Sequence, residues 1–333
     1  MSMKNIGFFL IVSLFLLFSC SKQSQQRAPD LVIYSAWHPD VLNPLVRMYE
    51  QKTHKKIEVV TNQAGILLVK LRIESSATPA DILLSSDAGY LWEAQRMELL
   101  KPLQSQVLSK NIPASLRSED NSWFGITQRA VLIVLGKGVN SDAIDKYLNL
   151  SDERWHGKVC LLNSTFSDTQ SLIAGSIFHQ GKEKTLAMLK QWVANLAHSP
   201  FMEPMSLADA LSDGSCSVAL LDSSVVLQKK RQGVLLPYVW PDQESSGAHV
   251  NVSGAGILRG ANNANEAQAF LEWLTSEEAQ AVLVALNAEF PVLSTLQVDE
   301  LDWSKYQVDQ TRLEAIIEKQ PQAIKLIRKA GYQ

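Results

Sequence analysis

From residue 31 onward the spacing of apolar positions switches repeatedly between the two periods of regular structure. Leu31–Tyr34 is a short apolar run. Pro39-Asp40 then opens a stretch in which Val41, Leu42, Leu45, Val46 and Tyr49 recur at helical spacing. Ile57–Val60 is β-branched and reads as a strand, a helix follows from about Ile66 to Glu74, and Asp81–Leu84 forms a third strand closed by Ser85-Ser86-Asp87. Strand and helix in this rhythm predict a mostly parallel sheet covered on both faces. Ligands in such sheets lie beyond the carboxyl ends of strands, which directs attention to Ser35-Ala36-Trp37-His38 and to Ser85-Ser86-Asp87.

Arg129–Leu135 is a strong apolar strand, read as the crossing into a second lobe that repeats the pattern. Its parts are strand Val159–Leu162, loop Asn163–Thr169, helices to Leu196, strand Val218–Leu221, loop Asp222-Ser223-Ser224 and a further helix. Leu235–Val239 leads toward a return crossing, Ser253–Leu258 rejoins the first lobe, and helices run from about Asn265 to Leu286. The tail from Leu296 is helical and amphipathic. The expected division is 31–128 with 247–290 in one lobe, and 129–246 with 291–333 in the other; no repeat of fixed period is present.

Ahead of residue 31 stands a different kind of segment. Lys4 precedes an apolar run from Ile6 to Phe18, about a dozen residues and too short to span a bilayer. It reads as a signal peptide over 1–19. Leu17-Phe18-Ser19-Cys20 resembles a lipobox, with Cys20 as the lipidated residue, and residues 20–30 make a polar tether. This places the chain on the periplasmic or cell-surface face, membrane-anchored through lipid. Cys160 and Cys216 sit in apolar runs; the reading is two buried free thiols, with a disulfide allowed by the compartment.

Charge and motif content narrow the function. A formal net charge of -3 argues against a nucleic-acid partner, and the basic run Lys229-Lys230-Arg231 reads as a helix end. There is no G-x-S-x-G, H-E-x-x-H or P-loop, and the six histidines are scattered, so an enzyme is not expected.

Several segments together carry a family likeness: Val32-Ile-Tyr-Ser-Ala-Trp-His38, Pro79-Ala-Asp-Ile-Leu83, Trp123 to Arg129, Ser253-Gly-Ala-Gly-Ile-Leu258, and Ala267 through Pro291. In this order they resemble the ferric-iron-type periplasmic solute-binding proteins of ABC importers. The resemblance implies a two-lobed α/β fold, its mostly parallel sheets flanked by helices and joined by crossing strands, that closes on a small-molecule ligand. It implies delivery to an ABC permease and its ATPase by a monomer. Iron-binding members hold the metal with a His of the first loop, a carboxylate after the third strand and adjacent tyrosines in the second lobe. His38 matches the first, Ser86 falls at the carboxylate position with Asp87 beside it, and the tyrosine positions fall on Ser224 and Val225. No cofactor is expected, and ferric iron only as a weakly held ligand at His38 and Asp87 or inside a chelate, since a hard trivalent ion wants anionic oxygens.

Each candidate contact has two readings. His38 is a ligand contact or a helix cap, Trp37 a stacking surface or a loop aromatic, and Asp87 a partner for a cation or an N-cap. Arg129 clamps an anionic group or forms a hinge salt bridge. Thr165 and Ser167 contact an anion or cap a helix, and Asp222, Ser223 and Ser224 face the cleft by analogy. A surface lipoprotein that kept the fold without transport is the alternative, and a lipid-anchored hydrolase a further one.

Overall fold

A computed structural model describes residues 28–333 except 142, 143, 297 and 299. The leader over 1–19, Cys20 and the tether up to residue 27 lie outside the described residues. Three strands, β1 (Leu31–Ser35), β2 (Ile57–Thr61) and β3 (Ile82–Ser85), lie parallel in the order β2-β1-β3. Two helices, α1 (Pro39–Thr53) and α2 (Ala64–Glu74), connect them, because a parallel return needs a crossover. Val41, Leu42, Leu45, Val46 and Tyr49 are the buried face of α1, as their spacing predicts. Next come α3 (Ala88–Arg96), α4 (Gln106–Asn111) and β4 (Phe124–Leu135).

The second lobe opens with β5 (Val159–Cys160), α5 (Ser167–Gln180), α6 (Lys182–Ala194), α7 (Pro204–Asp213), β6 (Val218–Asp222) and α8 (Ser223–Arg231). Lys229, Lys230 and Arg231 fall in the last turn of α8, where cations suit the helix dipole. Then follow β7 (Tyr238–Val239), β8 (Val250–Ile257), α9 (Ala264–Leu274), α10 (Glu277–Asn287), β9 (Phe290–Pro291), α11 (Leu313–Ile317) and α12 (Gln320–Ala330).

β4 ties the molecule together. Its 12 residues reach about 40 Å at ~3.3 Å each, enough to serve two lobes. Phe124–Ala130 pair with β8, and Val131–Leu135 pair with β6. The strand begins at Phe124, ahead of the Arg129 expected from the apolar run, because Gly125, Thr127 and Gln128 break the apolar pattern while β8 and β9 still pair with the strand there. The two crossing strands approach closely: a Cβ on Gly254 of β8 would sit 2.5 Å from the Phe124 carbonyl oxygen. The nine-stranded sheet, β2-β1-β3-β8-β4-β6-β5 with β7 and β9 also on β4, is therefore mixed where the rhythm predicted mostly parallel. β1–β2, β1–β3 and β5–β6 are parallel; every pair made by β4 or β8 is antiparallel.

One hydrophobic core spans the first lobe and the α7–α8 side of the second, and another gathers Ile133, Leu172, Leu189, Trp192, Ile316 and Ile327 under α5, α6 and α12. Cys160 and Cys216 are joined in a disulfide with their α-carbons 5.9 Å apart, a correction to the free-thiol reading.

Candidate functional site

His38 is the N-cap of α1: its Nδ1 accepts the Asp40 N–H at 3.3 Å and faces the Asp40 carboxylate at 3.5 Å. The side chain remains 71% exposed, so the cap leaves most of the ring accessible. Trp37 is the first correction. It is buried in the core and its indole N–H donates to the Ser85 carbonyl at 2.9 Å, tying the first loop to the third rather than offering a stacking face. In the neighbouring loop Ser86 is exposed, whereas Ser85 is buried with its hydroxyl donating to the Asp87 carbonyl. Asp87 points inward as the N-cap of α3, accepting the Gly89 N–H at 2.7 Å. Its other oxygen accepts a short hydrogen bond from the Asn251 amide.

Asn251 lies on β8 directly opposite Arg129 on β4. The Asn251 amide also donates to Asp168 at 2.7 Å, and the Arg129 guanidinium donates to the same carboxylate from Nη2 at 2.6 Å and Nε at 3.2 Å. Its Nη1 meets Glu289 at 3.3 Å, and its Nε also faces Asp222 at 3.8 Å. Glu289, buried before β9, also accepts from the Ser253 and Thr127 hydroxyls. Arg129 thus makes the ion pairs of the second of its two sequence readings, with Asp168 and Glu289.

From the second lobe come Asp168 in the first turn of α5 and Asp222 at the end of β6. Thr165 is exposed and bonded to the Asn163 carboxamide through both its amide and its hydroxyl, and Ser167 begins α5. Ser223 and Ser224 correct the loop expectation, since α8 starts at Ser223. Ser223 is buried and its hydroxyl accepts the Ala130 N–H at 3.1 Å, a strut under the crossing strand. Ser224 and Val225 are buried in the same first turn.

One guanidinium therefore faces Asp87, Asp168, Asp222 and Glu289. Burial, and then the neighbouring Asp168 carboxylate, raise the pKa of Asp87. The same two causes push Asp222 well above the ordinary range, and its buried Oδ1 has no protein partner. Asp222→Asn imitates the protonated acid, with an amide able to donate to Asp168. Its urea midpoint at about pH 7 should stay within about 1 kcal/mol of wild type, whereas Asp168→Asn, which breaks the Arg129 pair, should lose more. Equal losses in the two variants would show Asp222 to be ionised.

Asp168, Asn251 and Glu289 were not singled out from sequence. Asn251 had a signal, a polar side chain between Val250 and Val252 in a buried strand. Glu289 lay within a family-like segment and Asp168 within the Asn163–Thr169 loop, but each is matched to its partners only by folding. Among the described residues, one trio of potential ligands lies close enough to share an ion, Cys160, His198 and Cys216, and there the two sulfurs are bonded to each other.

Residues 31–285 match the model of the family described as bacterial extracellular solute-binding protein. The chain belongs to that family. Iron uptake protein A1 of Synechocystis is 32% identical over 98% of this chain and 96% of its own length. A solved Trichodesmium structure in complex with iron and citrate superposes with a TM-score of 0.86 at 30% identity, covering 91% of this chain and 99% of the other. A ferric binding protein from Campylobacter jejuni superposes at 0.84 with 28% identity over 91% and 100%. As a substrate-binding protein of the ABC-importer type, this solute-binding protein shares the two-lobed architecture of these relatives. At the positions that the sequence resemblance gives to iron ligands, this chain carries Ser86, Ser224 and Val225.

Proposed function

We propose that this solute-binding protein captures a small solute between lobes 31–128 with 247–290 and 129–246 with 291–333, and delivers it to an ABC permease and its ATPase. It acts as a periplasmic or cell-surface monomer anchored through lipid on Cys20, without catalysis. His38, Ser86, Thr165 and Ser167 are the proposed contacts at the cleft mouth, above the Arg129 network. The carrying observation is the burial of Ser224 and Val225 at the tyrosine positions, in the first turn of α8. Without those phenolates, bare ferric ion lacks the anionic oxygens it prefers. Small organic or phosphorylated solutes need none, and neither does iron inside a chelate that brings its own oxygen donors. Among these, the chelate is favoured by the relatives, one of which is solved with iron and citrate.

Ferric citrate and ferric nitrilotriacetate titrated into apo protein should raise the melting temperature without a phenolate charge-transfer band. A hundredfold excess over Kd adds about 2.7 kcal/mol. Tyr238 pairs with Val134 on β4, three positions past the Val131 that faces Asp222, about 10 Å along the strand from the cleft acids. A visible band, lost in Tyr238→Phe or another Tyr→Phe variant, would overturn the absence of phenolate ligands. If neither chelate stabilises the protein while an organophosphate does, the solute is organic.

A further inference from the structure

Away from the cleft, a cavity of about 350 Å³ opens between α5, the turn at Lys146–Leu148 and the loop ending at His249. That volume is in the range of small-molecule sites. His249 forms its inner wall. It is 4% exposed, and its Nε2 pairs with the Ser171 hydroxyl at 2.9 Å. Its Nδ1 is buried with no protein partner. Opposite Nδ1 stands Gly175, also on the cavity wall, where a Cβ would come within 3.1 Å of that nitrogen. Burial holds the His249 pKa down to about 4, so the ring is neutral, with Nε2 engaged by Ser171 and Nδ1 left unpartnered. Buried polar nitrogens are normally satisfied, and one without a protein partner in a residue that lines a cavity points to a ligand from outside the chain.

The rest of the lining gives that ligand its chemistry. Asp242 contributes a carboxylate that accepts the Tyr147 N–H and whose pKa burial raises to about 6; Lys146 also lines the cavity, with its ammonium 3.9 Å from Glu244. Asp309 is already engaged by His179 at 2.6 Å. Leu148, Leu172 and Met188 supply an apolar wall. We infer that this cavity is a second binding site, for a small organic amine whose ammonium pairs with Asp242 beside the His249 ring while its apolar body lies on Leu148, Leu172 and Met188. The site adjoins the crossing strands: the His249 carbonyl accepts the Val131 N–H at 2.9 Å, at the residue where β4 changes partner from β8 to β6.

Isothermal titration calorimetry of the full chain with phenethylamine tests the site, with phenethyl alcohol and 3-phenylpropionate as neutral and anionic counterparts. The amine should bind with a Kd near or below about 1 mM and the counterparts at least about tenfold more weakly. Asp242→Asn, which tolerates the positive φ of 57° at that position, and Ser176→Leu, which fills the cavity from α5, should each weaken the amine about tenfold or more. Ser86→Trp, which obstructs the interlobe cleft, should leave its Kd unchanged. No heat with the amine, equal affinity for all three probes, or loss of binding only in Ser86→Trp would each overturn the site.

Discussion

Replacing Arg129 with Met is expected to cost about 3–5 kcal/mol at about pH 7.5, the range for removing one partner of a buried ion pair. Arg129 is 5% exposed and holds Asp168 at 2.6 Å, Glu289 at 3.3 Å and Asp222 at 3.8 Å, and Met keeps most of its aliphatic volume. The loss is therefore electrostatic: the buried Glu289 and the half-buried Asp168 and Asp222 lose their common cation. The sign of the pH dependence follows. Asp87 and Asp222 already have raised folded-state pKa values with Arg129 present, and Arg129 is the charge that pulls both down. Without it they rise further, so the folded variant binds more protons than the unfolded chain, and its stability falls as pH rises. Urea midpoints for wild type and Arg129→Met should converge as the pH is lowered from about 7.5 toward about 5. A deficit under about 1 kcal/mol, or one constant with pH, would show the network to be a surface-like pairing of little weight.

Removing the disulfide should be felt almost as strongly. Cys160 and Cys216 are each 1% exposed and 56 residues apart, and a loop of that length restricts the unfolded chain by about 4 kcal/mol in the chain-entropy account. Unfolding Cys160→Ala/Cys216→Ala in urea, beside wild type with and without reductant, measures it. The double variant and the reduced protein should share a midpoint lowered by about that energy, the variant slightly lower for its lost sulfur packing. Reductant that leaves the wild-type midpoint unmoved would mean the two thiols are not bridged in solution. The bond ties β5 to the segment entering β6, both of which carry second-lobe residues to the cleft. Its loss should therefore weaken solute binding more than a variant equally destabilised in the first lobe.

Period and composition by themselves determined many of the elements of each lobe, while α4, α7 and β9 were not read from them. The i, i+3, i+4 spacing in α1 fixes which face is buried, and the β-branched runs at β1 and β2 mark strands, because local sterics and apolar burial act over a few residues. The absence of tyrosine at 224 and 225 was equally plain from the chain alone. Tertiary structure decided everything that depends on residues far apart in sequence. The sheet became mixed because β4 and β8 cross between lobes in opposite directions, a matter of topology that no local period encodes. Trp37 went to the core because its indole found the Ser85 carbonyl 48 positions away. Arg129 became an ion-pair centre because Asp168 and Glu289, 39 and 160 positions along, reach its guanidinium. A charge in a sequence states only what it can pair with; which partner it meets, and how dry the meeting place is, is settled by the packing that brings the strands together.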